Sequence, residues 1–197
     1  MKKFDILITG VGGQGIILAS DIIGEAAIAA GYDVKKTDTL GMAQRGGSVV
    51  SHVRIAEKVF SPLIKKGEVD ILLAFEKLEA ARWAHYLKPE GIAIVNDLAL
   101  PPLSVILGTE NYPGDAELAS MLHSFTSAVH FVPGTATAEK LGNAKMVNTV
   151  LLGYAARFLS IDVGRLQAII EEALPPKLRQ ANVAAFEAGQ KLSPLSM

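Results

Sequence analysis

A cluster of glycines set between an apolar strand and an amphipathic helix constrains this chain more than anything else in its sequence. Phe4, Ile6, Leu7 and Ile8 form a short apolar run over 4–9, and Gly10-Val11-Gly12-Gly13-Gln14-Gly15 follows at once. From Gly15 the apolar positions Ile16, Ala19, Ile23, Ala26, Ala27 and Ala30 recur at helical spacing, with Ser20, Asp21 and Glu25 on another face and Gly31 as terminator. Strand, glycine turn and helix in this order satisfy G-x-G-x-x-G in the context the motif needs. Glycines permit positive φ and close approach, so backbone N–H groups can face an anion at the positive end of a helix dipole. The same residues can also serve only to make a tight strand-to-helix turn, and the sequence leaves both uses open.

The rest of the chain extends this unit into an α/β pattern. Tyr32 to Thr37 reads as a second strand, so the first 37 residues predict a right-handed parallel crossover. Leu40 to Ser48 is loop-like. Val49 to Ile55 alternates as a strand with one exposed face, Asp70 to Phe75 is a buried strand, and Lys77 to Leu87 is a helix. Gly91 to Val95 forms a strand after the Pro89-Glu90-Gly91 turn, Asp115 to Phe125 a helix, and Val129 to Val132 the last strand. Beyond Pro133 only helices are expected: Thr135 to Leu141, Lys145 to Leu159, Val163 to Ala173 with Asp162 as N-cap, and Lys177 to Ala188. Pro175 and Pro176 end the third of these, and Gly189 stops the fourth before a polar tail. The expected fold is a three-layer α/β/α sandwich with a mostly parallel, Rossmann-like sheet and additional C-terminal helices, one domain over residues 1–197.

Composition narrows the function. Half the residues are hydrophobic but only 6% are aromatic, the mixture of a buried parallel sheet and its covering helices. Nineteen Lys and Arg balance twenty Asp and Glu, for a net charge of -1, which gives no electrostatic footprint for nucleic acid or an anionic membrane. Met1-Lys2-Lys3 and the apolar run after it imitate a signal peptide, yet Asp5 and the glycines interrupt it. No stretch approaches the ~18 apolar residues of a membrane span, so a soluble cytoplasmic protein is expected. Cysteine is absent, which removes disulfides, thiolate nucleophiles and cysteine-ligated clusters from this chain.

The glycine loop itself rules out some nucleotide chemistry. A P-loop requires Lys and then Ser or Thr after Gly15, where Ile16 and Ile17 stand, so ATP or GTP hydrolysis is not expected. An NAD site wants an acidic residue ~20 residues past the loop. Lys35 and Lys36 occupy that distance, with Asp38 slightly beyond, so a phosphorylated ribose would suit it better. His52, His85, His123 and His130 lack metal-ligand spacing, no metal site is expected, and a fold-serving strand histidine accounts for His52. Glu76 stands at the carboxyl edge of a strand, where open α/β sheets bind ligands. Asn148 either lines a site or satisfies backbone, and the second reading is preferred.

A second segment, Gly41-Met42-Ala43-Gln44-Arg45-Gly46-Gly47-Ser48, places an isolated Arg between a Gln and two glycines. Arg45 offers a rigid fork for a carboxylate or phosphate, or is simply a solvated surface residue. Taken with Val11-Gly12-Gly13-Gln14-Gly15, Ser51-His52-Val53-Arg54, Leu72-Leu73-Ala74-Phe75-Glu76, Gly142-Asn143-Ala144, Asn148 and Leu152-Gly153, this chain resembles the gamma-type domain of the 2-oxoacid:ferredoxin oxidoreductases along nearly its whole length. It is most similar to members acting on the aryl pyruvate indolepyruvate, with pyruvate, 2-oxoisovalerate or 2-oxoglutarate enzymes as the alternative. The resemblance implies a subunit without catalytic residues of its own. Thiamine diphosphate and iron–sulfur clusters would sit on a large alpha subunit, coenzyme A would be co-substrate, and ferredoxin would take electrons through the complex. Gly10, Gly12, Gly13, Gln14, Gly15, Gln44, Arg45, Gly46, Gly47 and Ser48 are the candidate contacts to coenzyme A or to the partner. Readings of another class are a self-sufficient NAD(P)-dependent dehydrogenase and a nucleotide-binding regulatory module.

Overall fold

The computed structural model describes residues 3–40 and 46–195. Its sheet has six strands, β1 (Phe4–Val11), β2 (Asp33–Leu40), β3 (Ser48–Ala56), β4 (Val69–Ala74), β5 (Leu87–Asn96) and β6 (Ala128–Val132), in the order β2-β3-β1-β4-β5-β6. Pairing is parallel from β1 through β4 and β5 to β6, and antiparallel on both sides of β3. The sheet is therefore mixed: β2 runs parallel to β1, as the crossover rule expects, but β3 lies between them.

Alternation sends the two sets of side chains to opposite cores. Ile6, Ile8, Ile71, Leu73 and Ile94 face one layer of helices, while Leu7, Leu72, Ala74, Ala93 and Val95 face the other. The first layer holds α1 (Ile16–Ala29), α5 (Gly134–Lys140), α6 (Val147–Ala155), α7 (Val163–Ala173) and α8 (Pro176–Lys191); the second holds α2 (Lys77–Trp83) and α4 (Asp115–His123). A four-residue helix, α3 (Leu103–Ile106), has no buried residue. Covered on both faces, β4 needs its uninterrupted Ile71-Leu72-Leu73-Ala74 run. β3 is also buried on both faces rather than exposed on one, because it is an interior strand.

One ion pair fixes the register of β3. Asp5, fully buried, lies opposite Arg54 across the antiparallel ladder, and Arg54 Nε and Nη2 each donate to one of its oxygens at 3.1 Å. A one-residue slip would break that fork and turn every β3 side chain to the wrong core. At the far side of the sheet, Leu195 N donates to Phe131 O at 2.8 Å, so the C-terminal tail runs along part of the outer edge of β6.

Several boundaries differ from the sequence expectation, each for a local reason. The helix from Lys77 ends at Trp83, continues as a 3-10 turn over Ala84–Tyr86, and gives way to β5 already at Leu87. The Pro89-Glu90-Gly91 turn is a bulge inside β5, marked by the register break between Val69 and Ile71 on β4. Asp162 caps α7 by accepting from Arg165 N, and Pro176 takes the first-turn position of α8.

Gly189 does not stop the last helix. It lies inside α8, where an added Cβ would come within 2.0 Å of Val150 O; across the same contact, one at Gly153 would come within 2.1 Å of Phe186 O. These glycines let the backbones of α6 and α8 touch. Gly189→Ala should push the helices apart and cost about 2 kcal/mol or more, lowering Tm in thermal unfolding by roughly 4 °C or more; an unchanged melting curve would show that the contact is not tight.

Candidate functional site

α1 leaves β1 toward β2, whereas α2 leaves β4 toward β5 on the opposite face. The chain therefore diverges between β1 and β4, the switch point where open α/β sheets form a crevice at the carboxyl ends of their strands. The glycine segment Gly10–Gly15, whose first two residues are the end of β1, the segment from Gly46 to Ser48, Glu76 and the start of the β5–α4 connection all meet there.

The glycines of the first loop do separate jobs. Gly13 and Gly15 have φ of 106° and 86°, the left-handed region in which glycine is at home, and Gly15 is the N-cap of α1 with no side-chain cap. Gly10 has an ordinary conformation but no room, since a Cβ there would lie 2.8 Å from Phe75 Cβ. Gln14 closes the loop on itself: its Oε1 accepts from Val11 N at 2.7 Å and its Nε2 donates to Phe75 O at 3.1 Å. Gln14 is thus a keystone of the turn. The first-turn amides of α1, which a helix cannot satisfy internally, keep the positive end of the dipole unmasked.

Gly12 N donates to Gly47 O at 2.8 Å, so the two predicted segments do meet. Ser48, at the start of β3, donates to Glu79. Of the ten candidate contacts, Gln44 and Arg45 lie outside the described residues, and the other eight gather at this edge. A cavity of about 310 Å³ near α7 is remote from it, and one of 230 Å³ occupies the crevice itself. Val11 and Gly46 form one wall of the crevice, Glu79 and Arg82 another, and Leu100-Pro101-Pro102 the third.

Glu76, which the sequence placed at this edge, is 1% exposed and is occupied by internal partners. Its carboxylate accepts from Glu79 N at 2.8 Å as the N-cap of α2, from Leu100 N at 3.0 Å, and from the Tyr112 hydroxyl. Burial and then this hydrogen bond raise the Tyr112 pKa far above its ordinary 10. Glu79, also buried, accepts from Arg82 at 2.6 Å, and Arg82 keeps 46% of its side chain in solvent at the crevice mouth. Lys77 binds Asp97 at 3.0 Å and Asp115 at 2.7 Å; burial lowers its pKa, but these partners outweigh that and the net shift is upward.

Sequence reasoning missed several members of this edge. Asn96 Nδ2 donates to the same Phe75 carbonyl that Gln14 binds, and also to Thr135, whose N–H donates back to Asn96 Oδ1. Nothing local marks Asn96, because its partners lie 21 and 39 residues away. Arg82 gives no signal either, reading as an ordinary helical surface residue. Asn148 packs against Gly15, its Oδ1 accepting from Thr149 N, as a residue that satisfies backbone would. Among the described residues no group of three His, Cys, Asp or Glu could hold a metal ion, and no helix is long and apolar enough to cross a membrane.

His52 lies in the second core. Its Nδ1 accepts from Ile64 N at 3.3 Å and its ring meets Tyr86 edge-on at 5.6 Å. Burial, with a smaller contribution from the Arg54 charge, pulls its pKa below the ordinary 6.5. The unfolded chain therefore binds a proton more readily, and stability falls as pH drops below 6.5 toward the folded pKa. His52→Gln should flatten this acid-side loss in denaturant titrations between pH 7 and pH 5, leaving the slope due to His130, whose pKa burial also lowers; an identical slope would remove His52 from the account. Glu76→Ala, by stripping acceptors from Glu79 N, Leu100 N and Tyr112, should cost about 2–4 kcal/mol, read as a lower urea midpoint.

Comparison with known proteins places this geometry. The sequence model described as "Pyruvate ferredoxin/flavodoxin oxidoreductase" matches residues 5–192. "Indolepyruvate oxidoreductase subunit IorB" of Thermococcus kodakarensis is 36% identical over 97% of this chain and 96% of its own length. "2-oxoglutarate synthase subunit KorC" of Methanothermobacter marburgensis is 31% identical over 98% and 97%. Among solved structures, the 2-oxoglutarate:ferredoxin oxidoreductase of Magnetococcus marinus, with 2-oxoglutarate, coenzyme A and succinyl-CoA bound, superposes with a TM-score of 0.75 at 21% identity. That superposition covers 96% of this chain but only 31% of the longer one.

Proposed function

This chain belongs to the pyruvate ferredoxin/flavodoxin oxidoreductase family, and from that footing we propose that it is the small subunit of an indolepyruvate:ferredoxin oxidoreductase. The observation that carries the proposal is the near end-to-end match to an indolepyruvate oxidoreductase subunit. In the reaction, an aryl pyruvate loses carbon dioxide, its acyl group passes to coenzyme A, and two electrons go to ferredoxin. The residues present do not fit iron–sulfur ligation, because the sequence has no cysteine. Such clusters, and thiamine diphosphate with them, belong in this proposal to the large subunit, in the cytoplasm.

What this chain supplies is the crevice edge. Glycine-loop amides at the uncapped start of α1 suit an anionic group, and the apolar wall of Leu100-Pro101-Pro102 beside Arg82 suits an extended arm that carries phosphates. We assign Gly10, Gly12, Gly13, Gly15, Gly46, Gly47 and Ser48, together with Gln44 and Arg45, to the contact with coenzyme A or with the partner that presents it. Gln14 acts through the loop it holds closed.

Co-expression with the large subunit should yield coenzyme A-dependent dye reduction with indolepyruvate, and the isolated chain should show none. Turnover of an oxoacid by the chain alone, or tight NADPH binding by it, would overturn the assignment. Gly12→Val should raise the apparent KM for coenzyme A or weaken assembly; unchanged kinetics in an intact complex would remove the loop from the site.

A further inference from the structure

The 18-residue connection between β5 and α4, with the single turn of α3 as its regular structure, is long for a link in a compact α/β unit, where such excursions are usually functional. Its stem is fixed at both ends by two adjacent buried residues. Lys77 holds Asp97 at its start and Asp115 just past its end, and Glu76 holds Leu100 N and the Tyr112 hydroxyl. The tip is hydrogen-bonded within itself: Ser104 Oγ donates to Glu110, Ser104 O accepts from the Thr109 hydroxyl at 2.8 Å, and Gly108 N donates to Val105 O at 3.0 Å. Glu110, the only charged residue between Leu98 and Gly114, is exposed and its side chain is held by the bond from Ser104.

Beside these surface hydrogen bonds the tip also presents carbon to solvent. Leu103, Ile106 and Leu107 are 67%, 70% and 68% exposed, and Leu100 adds a further 39% beside the crevice. Contiguous apolar surface of this kind on a rigid support marks an interaction site. These four side chains form an apolar knob that supplies only a few hundred Å², against the roughly 1,200–2,000 Å² buried in a stable complex. Knob against knob about a twofold axis would therefore not hold two copies together. The knob fits as one anchor in a larger interface with an apolar hollow on a different chain. In the Magnetococcus marinus enzyme this same fold makes up just under a third of a longer polypeptide, joined there to a larger neighbour.

We infer that the Leu103–Leu107 knob docks into an apolar hollow on the large subunit and positions that subunit over the crevice. This deepens the proposed function and rests on it. Affinity of the purified chain for the purified large subunit, measured by biolayer interferometry, tests it. Ile106→Asp/Leu107→Asp should melt as the wild type does, since both side chains are exposed, yet bind at least tenfold more weakly. Ile106→Leu/Leu107→Met should bind as the wild type does. Binding of the Asp pair within twofold of wild type would overturn the inference while leaving the proposed function intact. So would loss of self-association with the large-subunit affinity unchanged, which would make a second copy the occupant, or a raised KM for ferredoxin in a complex of unchanged affinity. Failure of the wild-type chain to bind the large subunit at all would remove the proposed function and the inference together.

Discussion

The carboxylate of Glu76 and the ammonium of Lys77, side by side and almost wholly enclosed at the carboxyl end of β4, organise one half of the molecule. Taking either charge out of water is costly, and each is tolerable only because several donors or acceptors converge on it. Through Glu76 the strand end caps α2 and gathers in Leu100 and Tyr112; through Lys77 it ties Asp97 to Asp115. Crevice wall, connection and the second helical layer are therefore one hydrogen-bonded unit. A matching arrangement on the other side of the switch point centres on the Phe75 carbonyl, shared between Gln14 and Asn96. Together the two hold the loop after β1, the end of β4 and the end of β5 in fixed relation.

That rigidity fits a subunit whose chemistry is completed by another chain. Binding loops that must present a shape to a partner lose less on association when they are ordered beforehand. Here the ordering comes from buried polar bonds, while the outward surfaces, Arg82 at the crevice mouth and Leu103, Ile106 and Leu107 beyond it, stay in solvent. The tight α6–α8 contact through Gly153 and Gly189 stiffens the opposite layer in the same way.

How much of this could be read from the sequence depended on whether the deciding interaction was local. α7 was legible because Asp162 caps it and two prolines end it; α1 was legible from its periodicity and the Gly31 stop, and the glycine loop from its spacing. The position of β3 was not, since alternation reveals a strand but neither its direction nor its neighbours. Gly189 misled for a similar reason: in sequence a glycine near a helix end looks like a terminator, and only the carbonyl of Val150 across the contact explains it. The site was half visible. Its glycines announced themselves, but Asn96, Arg82 and the Ser48–Glu79 bond depend on partners brought together by the fold. The resemblance to a known family added function that no residue pattern here would have supplied.

The two rims of the sheet bear on how this chain can join others. At β6 the tail from Leu192 to Leu195 already takes up a backbone acceptor of Phe131, and the other rim, β2, carries Lys35 and Lys36 next to Asp33 and Asp38. Charged or covered rims discourage recruitment of a foreign strand. Association is thereby left to the fit of side chains, and a complex made that way can separate and re-form without any ladder being unzipped.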